Sequence, residues 1–307
     1  MIAVNIELPQ SGRLELRHPE NVPVKEIKLR IQDQTRIPIN QQRLEIVGSS
    51  EKRVVLENHK NLNDYSAHIV SNVINLRLKN LGTQVNYRTF FYIEYSGPLI
   101  TFPLAYLLFA NQHDPFHRLI TLLVIIHFAK RILEAKFIHI FSNASVPVPV
   151  VVRNCFYYWI LFGVLIPFEV YYLRQKPLLW SNGVTTILSI LFLIFEAGNF
   201  YCHYVLRRLR MKNVNGVETI VPDRSVPRGV FFDSVISPNY SFEILIWVTF
   251  ALIFKSFFAL FFAIVSFLIL KNWAGQKKQN LLKIDPGMPI EVKESINRRF
   301  LLFPKLV

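Results

Sequence analysis

The sequence predicts a small α+β domain over residues 1–82 joined to an all-α, polytopic membrane domain over residues 83–307, with about six transmembrane helices or seven. Three observations carry this. Up to residue 82 the chain is polar, and its apolar residues recur at every second position. From Phe90 onward, long apolar runs alternate with short basic segments. The basic residues of that second half gather at the ends of the apolar runs, as they do where Lys and Arg collect on the cytoplasmic side of a membrane. The apolar fraction of 51% and the mean hydropathy of +0.29 therefore average two unlike halves. For the same reason the formal charge of +14 reads as a topology signal, and nucleic acid is excluded as a partner.

In the first half, Ile2-Ala3-Val4-Asn5-Ile6-Glu7-Leu8 alternates as a strand, and Arg13-Leu14-Glu15-Leu16 alternates again after a turn at Gly12. Val24, Ile27 and Ile31, with Leu29 as a further candidate, then line one side of a helix that starts near Pro23. The stretch Val24–Asp33, the segment Ile37-Pro38-Ile39-Asn40-Gln41-Gln42-Arg43-Leu44, the turn Leu62-Asn63-Asp64-Tyr65 and the strand Ile74-Asn75-Leu76-Arg77-Leu78 resemble ubiquitin, which implies a β-grasp fold. Two departures narrow its role. Only Gly82 stands where ubiquitin ends in a double glycine, and Glu45 replaces the isoleucine of its main recognition patch. A charge at that position opposes partners that bury an apolar patch, so a fixed cytosolic module is expected, not a conjugated modifier.

In the second half, apolar segments run over 86–110, 116–135, 151–173, 182–206, 240–254 and 256–272. A spanning helix needs about 20 residues, so the last two are short and read as a tight hairpin, a tilted helix or a partly re-entrant one. An even number of spans puts both termini on one side. Taking that side as cytosolic gathers the basic clusters 130–136, 207–228 and 271–305 there and leaves Arg118, Arg174, Lys176 and Lys255 opposite. The long loop 211–237, with Pro222, Pro227 and Gly229, is of a length that is usually functional or disordered.

Ionisable residues at membrane depth are costly and so mark candidate function. Glu94 lies well inside the first span. The second span ends with His127, Lys130, Arg131 and Glu134, in which Lys130 and Glu134 share a helical face. The fourth carries Glu196, Asn199 and His203, then Arg207 and Arg210; the fifth opens with Pro238-Asn239-Tyr240-Ser241-Phe242-Glu243. Polar residues thus recur at the cytosolic ends of several spans, as suits a cavity open to the cytosol with cations for a phosphorylated ligand. The plainer reading makes Lys130–Glu134 a helix-surface pair and Arg207–Arg210 a topology signal. Cys155 and Cys202 both lie in apolar segments, so neither a disulfide framework nor a zinc site is expected. His127, His139 and His203 are too dispersed for the histidine boxes of an iron-dependent desaturase. No metal is expected, and no GxGxxG is present.

The pattern His127-x-x-Lys130-Arg131-x-x-Glu134-x-x-Phe137-x-His139-x-Phe141-Ser142, followed by Asn154-Cys155-x-Tyr157-Tyr158-Trp159, resembles the very-long-chain trans-2-enoyl-CoA reductases of the steroid 5-alpha-reductase superfamily. Leu81-Gly82-x-Gln84, Gly198-Asn199-Phe200 and Pro238-Asn239-Tyr240-x-x-Glu243 fit the same family, as does an N-terminal ubiquitin-like domain. The resemblance implies reduction of a trans-2-enoyl-CoA with NADPH, the last step of fatty-acid elongation, in the endoplasmic reticulum membrane with both termini cytosolic. Another organelle membrane, such as the mitochondrial inner membrane, is the alternative. It further implies that Asn199, Arg210, Asn239 and Glu243, with His203 beside them, hold NADPH. Tyr240 is implied as proton donor, and Gln84, Glu94, Lys130, Arg131 and Glu134 as further catalytic positions. Implied partners are an acyl-CoA substrate, membrane lipid, and subunits of an elongase or other membrane complex. The tail departs from the family at Asn280, by an insertion near Asp285–Glu294, and at its ending Phe303-Pro304-Lys305. Two other readings stay open: a steroid or polyprenol double-bond reductase, and a non-catalytic subunit that retains the fold.

Overall fold

The computed structural model describes residues 1–9, 12–48, 54–111, 114–141, 144–174, 180–214, 217–220, 225–283 and 287–304. Of the residues singled out above, Ser142, Lys176, Pro222, Asp285 and Lys305 lie outside these. The chain divides into two compact units, Met1–Tyr87 with Asn143–Val151, and Arg88–Ser142 with Val152–Val307.

In the first unit, strands β1 (Ile2–Glu7), β2 (Arg13–His18), β3 (Gln42–Ile46) and β4 (Val73–Asn80) form one sheet in the order β2-β1-β4-β3. The central pair β1–β4 is parallel and the two outer pairs are antiparallel. Helix α1 (Val24–Thr35) starts after Pro23 and stops at Arg36, which takes the left-handed conformation. The period-2 apolar residues Ile2, Val4, Ile6, Ile74, Leu76 and Leu78 all face inward and pack with Val24, Ile27 and Ile31 of the helix. A short ladder, β5 (Gln84–Asn86) with β6 (Ser145–Pro147), completes this unit.

The second unit is helical. Helices α2 (Tyr87–Phe109) and α3 (Pro115–Phe137) are followed by Val148–Leu173, whose first turns form α4 (Val148–Cys155) and whose remainder is largely π-helical over Phe156–Leu165 and Phe168–Leu173. After α5 (Asn182–Arg208) comes the hairpin β7 (Met211–Val214) and β8 (Val217–Ile220), then α6 (Pro238–Phe254), α7 (Phe257–Leu282) and α8 (Ile290–Arg298). Among the described residues, three helices are long and apolar enough to cross a membrane: Val148–Leu173, Asn182–Arg208 and Phe257–Leu282; Pro238–Phe254 is apolar but shorter. Helices α2 and α3 are 23 residues each. They are diluted by Tyr and Pro in the first and by Arg118, Lys130, Arg131, Glu134 and Lys136 in the second.

The helix ends follow local chemistry. Asp114 caps α3 by accepting from Phe116 N at 2.9 Å, with Pro115 in the first helical position, where its missing N–H costs nothing. Ser256 caps α7. Between α6 and α7 the chain turns on Lys255 (φ 50°), a hairpin being one of the three readings open for these segments; the second is not short, because α7 continues past the apolar run to 26 residues. That turn has polar support. Arg174 donates to Phe254 O and Lys255 O, while Glu169 accepts from Arg174, Ser256 Oγ and the backbone N–H groups of Phe257 and Phe258. The carboxylate thereby satisfies the orphan donors of a helix start. Above it, Phe102, Phe128, Phe162, Trp247, Phe250, Phe254 and Phe262 form an aromatic core.

Candidate active site

Three helices of the second unit each contribute one polar stripe to a buried cluster. On α3 the stripe is His127, Lys130, Arg131 and Glu134; on α5 it is Glu196, Asn199 and His203; on α6 it is Asn239 and Glu243. Spacings of three and four residues put each set on one helical face. Packing α5 against both α3 and α6 brings the faces together. Lys130 Nζ lies 2.6 Å from Glu196 Oε2, 2.8 Å from Asn199 Oδ1 and 3.4 Å from Glu134 Oε1. With the Asn199 oxygen so engaged, its Nδ2 donates to Asn239 O at 2.9 Å and to Glu243 Oε2 at 3.1 Å. Arg131 donates from Nη1 to Glu134 Oε2 at 2.5 Å and to His203 Nε2 at 3.0 Å, and from Nη2 to the Tyr95 hydroxyl at 3.1 Å. His127 Nδ1 donates to Glu196 Oε1 at 2.6 Å, and its Nε2 lies 3.8 Å from Glu243 Oε1.

Of the residues expected at the site, the structure thus joins Lys130, Arg131, Glu134, Asn199, His203, Asn239 and Glu243. Glu94 is buried on α2 beside Tyr95 and accepts from Asn154 Nδ2 at 3.2 Å. Arg210 donates to Ile140 O at 2.5 Å. Tyr240 packs toward α7 and the C-terminal segment, in a cluster with Leu270, Ala274 and Phe303 and with Trp273 6.4 Å from its ring. The cation over the Tyr240 ring is Lys277, at 5.9 Å, whereas the Lys130 ammonium is turned to Glu196 and Asn199. Gln84 belongs to the first unit, where its side chain donates to Leu81 O and Gly82 O and accepts from Ser145.

Glu196 stands at the centre of the cluster although the family pattern gave it no role. The signal for it was present in the sequence, because Glu196, Asn199 and His203 sit at i, i+3 and i+7 on an otherwise apolar helix. Tyr95, Asn154 and Lys277 carried no such signal; only helix packing shows their neighbours. Glu134, His139 and His203 could also offer metal-ligating atoms within 4.8 Å of one another. Arg131 already engages Glu134 and His203, so two of those three donors hold a guanidinium. Burial, with the positive charges of Arg131 and Lys130 nearby, depresses the pKa of His139 to about 3 and keeps its ring neutral.

The second unit thus holds a buried ion-pair cluster among apolar helices, three of which, among the described residues, are long and apolar enough to cross a membrane. Residues 144–294 match the family model for 3-oxo-5-alpha-steroid 4-dehydrogenase. The chain is similar to the probable very-long-chain enoyl-CoA reductase of Caenorhabditis elegans, with 33% identity over 70% of this chain and 72% of that one. It is also similar to the very-long-chain enoyl-CoA reductase of Dictyostelium discoideum, with 29% identity over 85% and 86%. A third relative is a trans-2,3-enoyl-CoA reductase-like protein of Mus musculus, with 29% identity over 67% and 59%. The chain belongs to the very-long-chain enoyl-CoA reductase family of the steroid 5-alpha-reductase superfamily.

Proposed function

We propose that this protein reduces very-long-chain trans-2-enoyl-CoA to saturated acyl-CoA with NADPH, as the last step of fatty-acid elongation in the endoplasmic reticulum membrane. The observation that carries the proposal is the connected polar cluster buried among apolar helices, since so many desolvated charges are retained where chemistry needs them. Names of relatives that act on enoyl-CoA support the substrate class. The six helices of at least 17 residues, α2, α3, Val148–Leu173, α5, α6 and α7, are proposed as the six spans, with both termini cytosolic. The strand order and parallel central pair of the first unit support a ubiquitin-like module over residues 1–82, with the reductase domain over 83–307. An elongase complex is the proposed assembly.

A nicotinamide dinucleotide fits the groups present. Asn239 Oδ1 is buried without a hydrogen-bond partner among the described residues and is an acceptor suited to a carboxamide N–H. Asn199, Glu243 and His203 adjoin it through the cluster, and Arg210 with Arg207 supplies cations for phosphates. When bound, NADPH supplies a hydride to C3 of the enoyl thioester. The protein's own task is to stabilise the negative charge on the thioester oxygen and to deliver a proton to C2. Tyr240 is assigned the proton, and the Lys277 ammonium over its ring stabilises the phenolate left behind. Lys130, Arg131, Glu134 and Glu94 are proposed as further catalytic positions, the first three joined to one another and to α5 in the buried cluster. Gln84 is proposed, on the family resemblance alone, as a further catalytic position.

The test is NADPH consumption by the purified, full-length protein with a long-chain trans-2-enoyl-CoA. Turnover that requires both compounds is expected. No turnover, with stoichiometric recovery in a large membrane complex, overturns the proposal in favour of the non-catalytic subunit. Turnover on steroid or polyprenol enones, but not on enoyl-CoA, reassigns the substrate.

A further inference from the structure

Lys130 is a flexible side chain with three N–H donors, and something must fix where its ammonium points. Glu196 approaches it twice, with Oε2 at 2.6 Å and its backbone carbonyl at 3.3 Å. The second carboxylate oxygen of Glu196 is held by His127 Nδ1 at 2.6 Å. His127 is fully buried, and its ring packs edge-on against Trp247 at 4.5 Å and Phe128 at 4.8 Å, so it cannot turn away. The imidazole thus orients the carboxylate, and the carboxylate orients the ammonium, through contacts from two different helices.

We propose that Glu196, braced by His127, is a positioning residue of the reductase that acts through Lys130. The inference rests on the enoyl-CoA reductase reading above. It assigns the pair a task beyond structural cohesion. With Glu196 in place, the ammonium is held toward Asn199 and Glu134, and Asn199 is held with its amide N–H groups toward α6. Remove the carboxylate and the lysine head swings, the amide of Asn199 loses its fixed orientation, and the geometry at α6 loosens. Such a residue moves the rate of the chemical step, because misplacement by about 1 Å costs on the order of 10²-fold in rate. Substrate affinity, set by contacts with the acyl chain and CoA, stays nearly constant.

The experiment is a double-mutant cycle on the full-length protein, with product formed from labelled trans-2-enoyl-CoA as the readout. E196Q is expected to lower kcat by about 10²-fold and to change KM by less than about 3-fold. E196D, which keeps the charge one methylene shorter, is expected to recover about tenfold of that loss. In a K130M background, E196Q is expected to cost less than about 2-fold further, since its effect passes through the lysine. Equal losses from E196Q in both backgrounds, or wild-type kcat in a folded E196Q protein, overturn the inference. Should E196Q not fold, the cycle is run with H127N, whose amide can still donate to Glu196, against H127L, which cannot. H127N turning over no faster than H127L then overturns it. A wild-type protein without turnover removes the proposed function itself, whereas an active wild type with an unaffected E196Q removes this inference alone.

Discussion

Arg77–Glu7 on the outer face of the N-terminal sheet and Lys130–Glu196 among the helices are ion pairs of similar length, 2.9 and 2.6 Å, in unlike solvents. The first pair is 60% and 44% exposed, the second 18% and 6%. At the sheet, water screens the attraction and solvates either partner left alone, so the pair adds little to stability. Among the helices each charge has lost its hydration, and the pairing must first offset that cost. A surface pair is nearly free to form and nearly free to lose. A buried network is expensive to build and loses stability when a member is removed. The comparison therefore separates the two pairs by what surrounds them: a solvated face in the first unit, a connected buried cluster, the proposed site, in the second.

The sharpest way to break this contrast is Lys130→Met. It takes the ammonium from Glu196, while Glu134 keeps Arg131, and removing one member of a buried pair costs about 3–5 kcal/mol. Thermal unfolding in detergent should show that loss, and NADPH consumption should fall by about 10³-fold or more. A stable, active K130M protein would mean that the buried charges are already well solvated. Next in size is Tyr240→Phe. The ring and its packing against α7 stay, so the fold should hold, while loss of the hydroxyl should lower kcat by about 10²–10⁴-fold. Near-wild-type turnover in Y240F takes the proton-donor role away from Tyr240.

Much of this contrast was legible in the sequence. Period-2 alternation located β1 and β2, the likeness to ubiquitin located β4, and the apolar runs located the six long helices among the described residues, because hydrophobic patterning is local. The three stripes on α3, α5 and α6 were also readable as i, i+3 and i+4 sets. Which stripe meets which was not. That Glu196 joins His127 to Lys130, and that Lys277 instead of Lys130 lies over Tyr240, depends on how helices rotate against one another, which no local pattern records. The π-helical stretches of Val148–Leu173 were equally hidden. Their sequence reads as an ordinary apolar helix, and the extra residue per turn emerges only where Tyr157, Tyr158 and Trp159 reach different neighbours: Phe262 O, the aromatic core and Ile93 O.

Packing within the helical unit offers a smaller test. A Cβ on Gly97 would lie 2.1 Å from the Trp159 indole, which is itself hydrogen-bonded to Ile93 O. Gly97→Ala should thus cost about 1–3 kcal/mol, read as a lower unfolding temperature in detergent. Lys28 is a buried charge of the first unit, and it sharpens the comparison through pH. Lys28 Nζ donates to Gln42 O at 3.0 Å, and desolvation lowers its pKa from 10.5 to about 8. Between about pH 8 and 10.5 the unfolded chain keeps a proton that the folded unit has released, so stability rises with pH across that window. Below it the full penalty of burying the charge remains. Pulse proteolysis in urea should find the midpoint of the N-terminal unit rising from pH 8 to 10, and K28M should flatten that slope.

The smallest effect belongs to Arg77→Gln. Strand register sets Arg13, Glu7, Arg77 and Glu45 side by side across all four strands, so charges of alternating sign cross the sheet. Replacing the third removes the cation between two carboxylates, which sounds severe. Yet Glu7 is 44% exposed, and Glu45 keeps Arg43 at 3.0 Å, so water and a second arginine compensate. The loss should be below about 0.5 kcal/mol by pulse proteolysis at low salt, and undetectable at 1 M salt, where charges are screened within about 3 Å. A loss above about 1.5 kcal/mol that survives high salt would mean that this face is desolvated in the working protein. The ladder would then belong with the buried cluster, as an interface, and the division drawn between the two sets of charges would no longer hold.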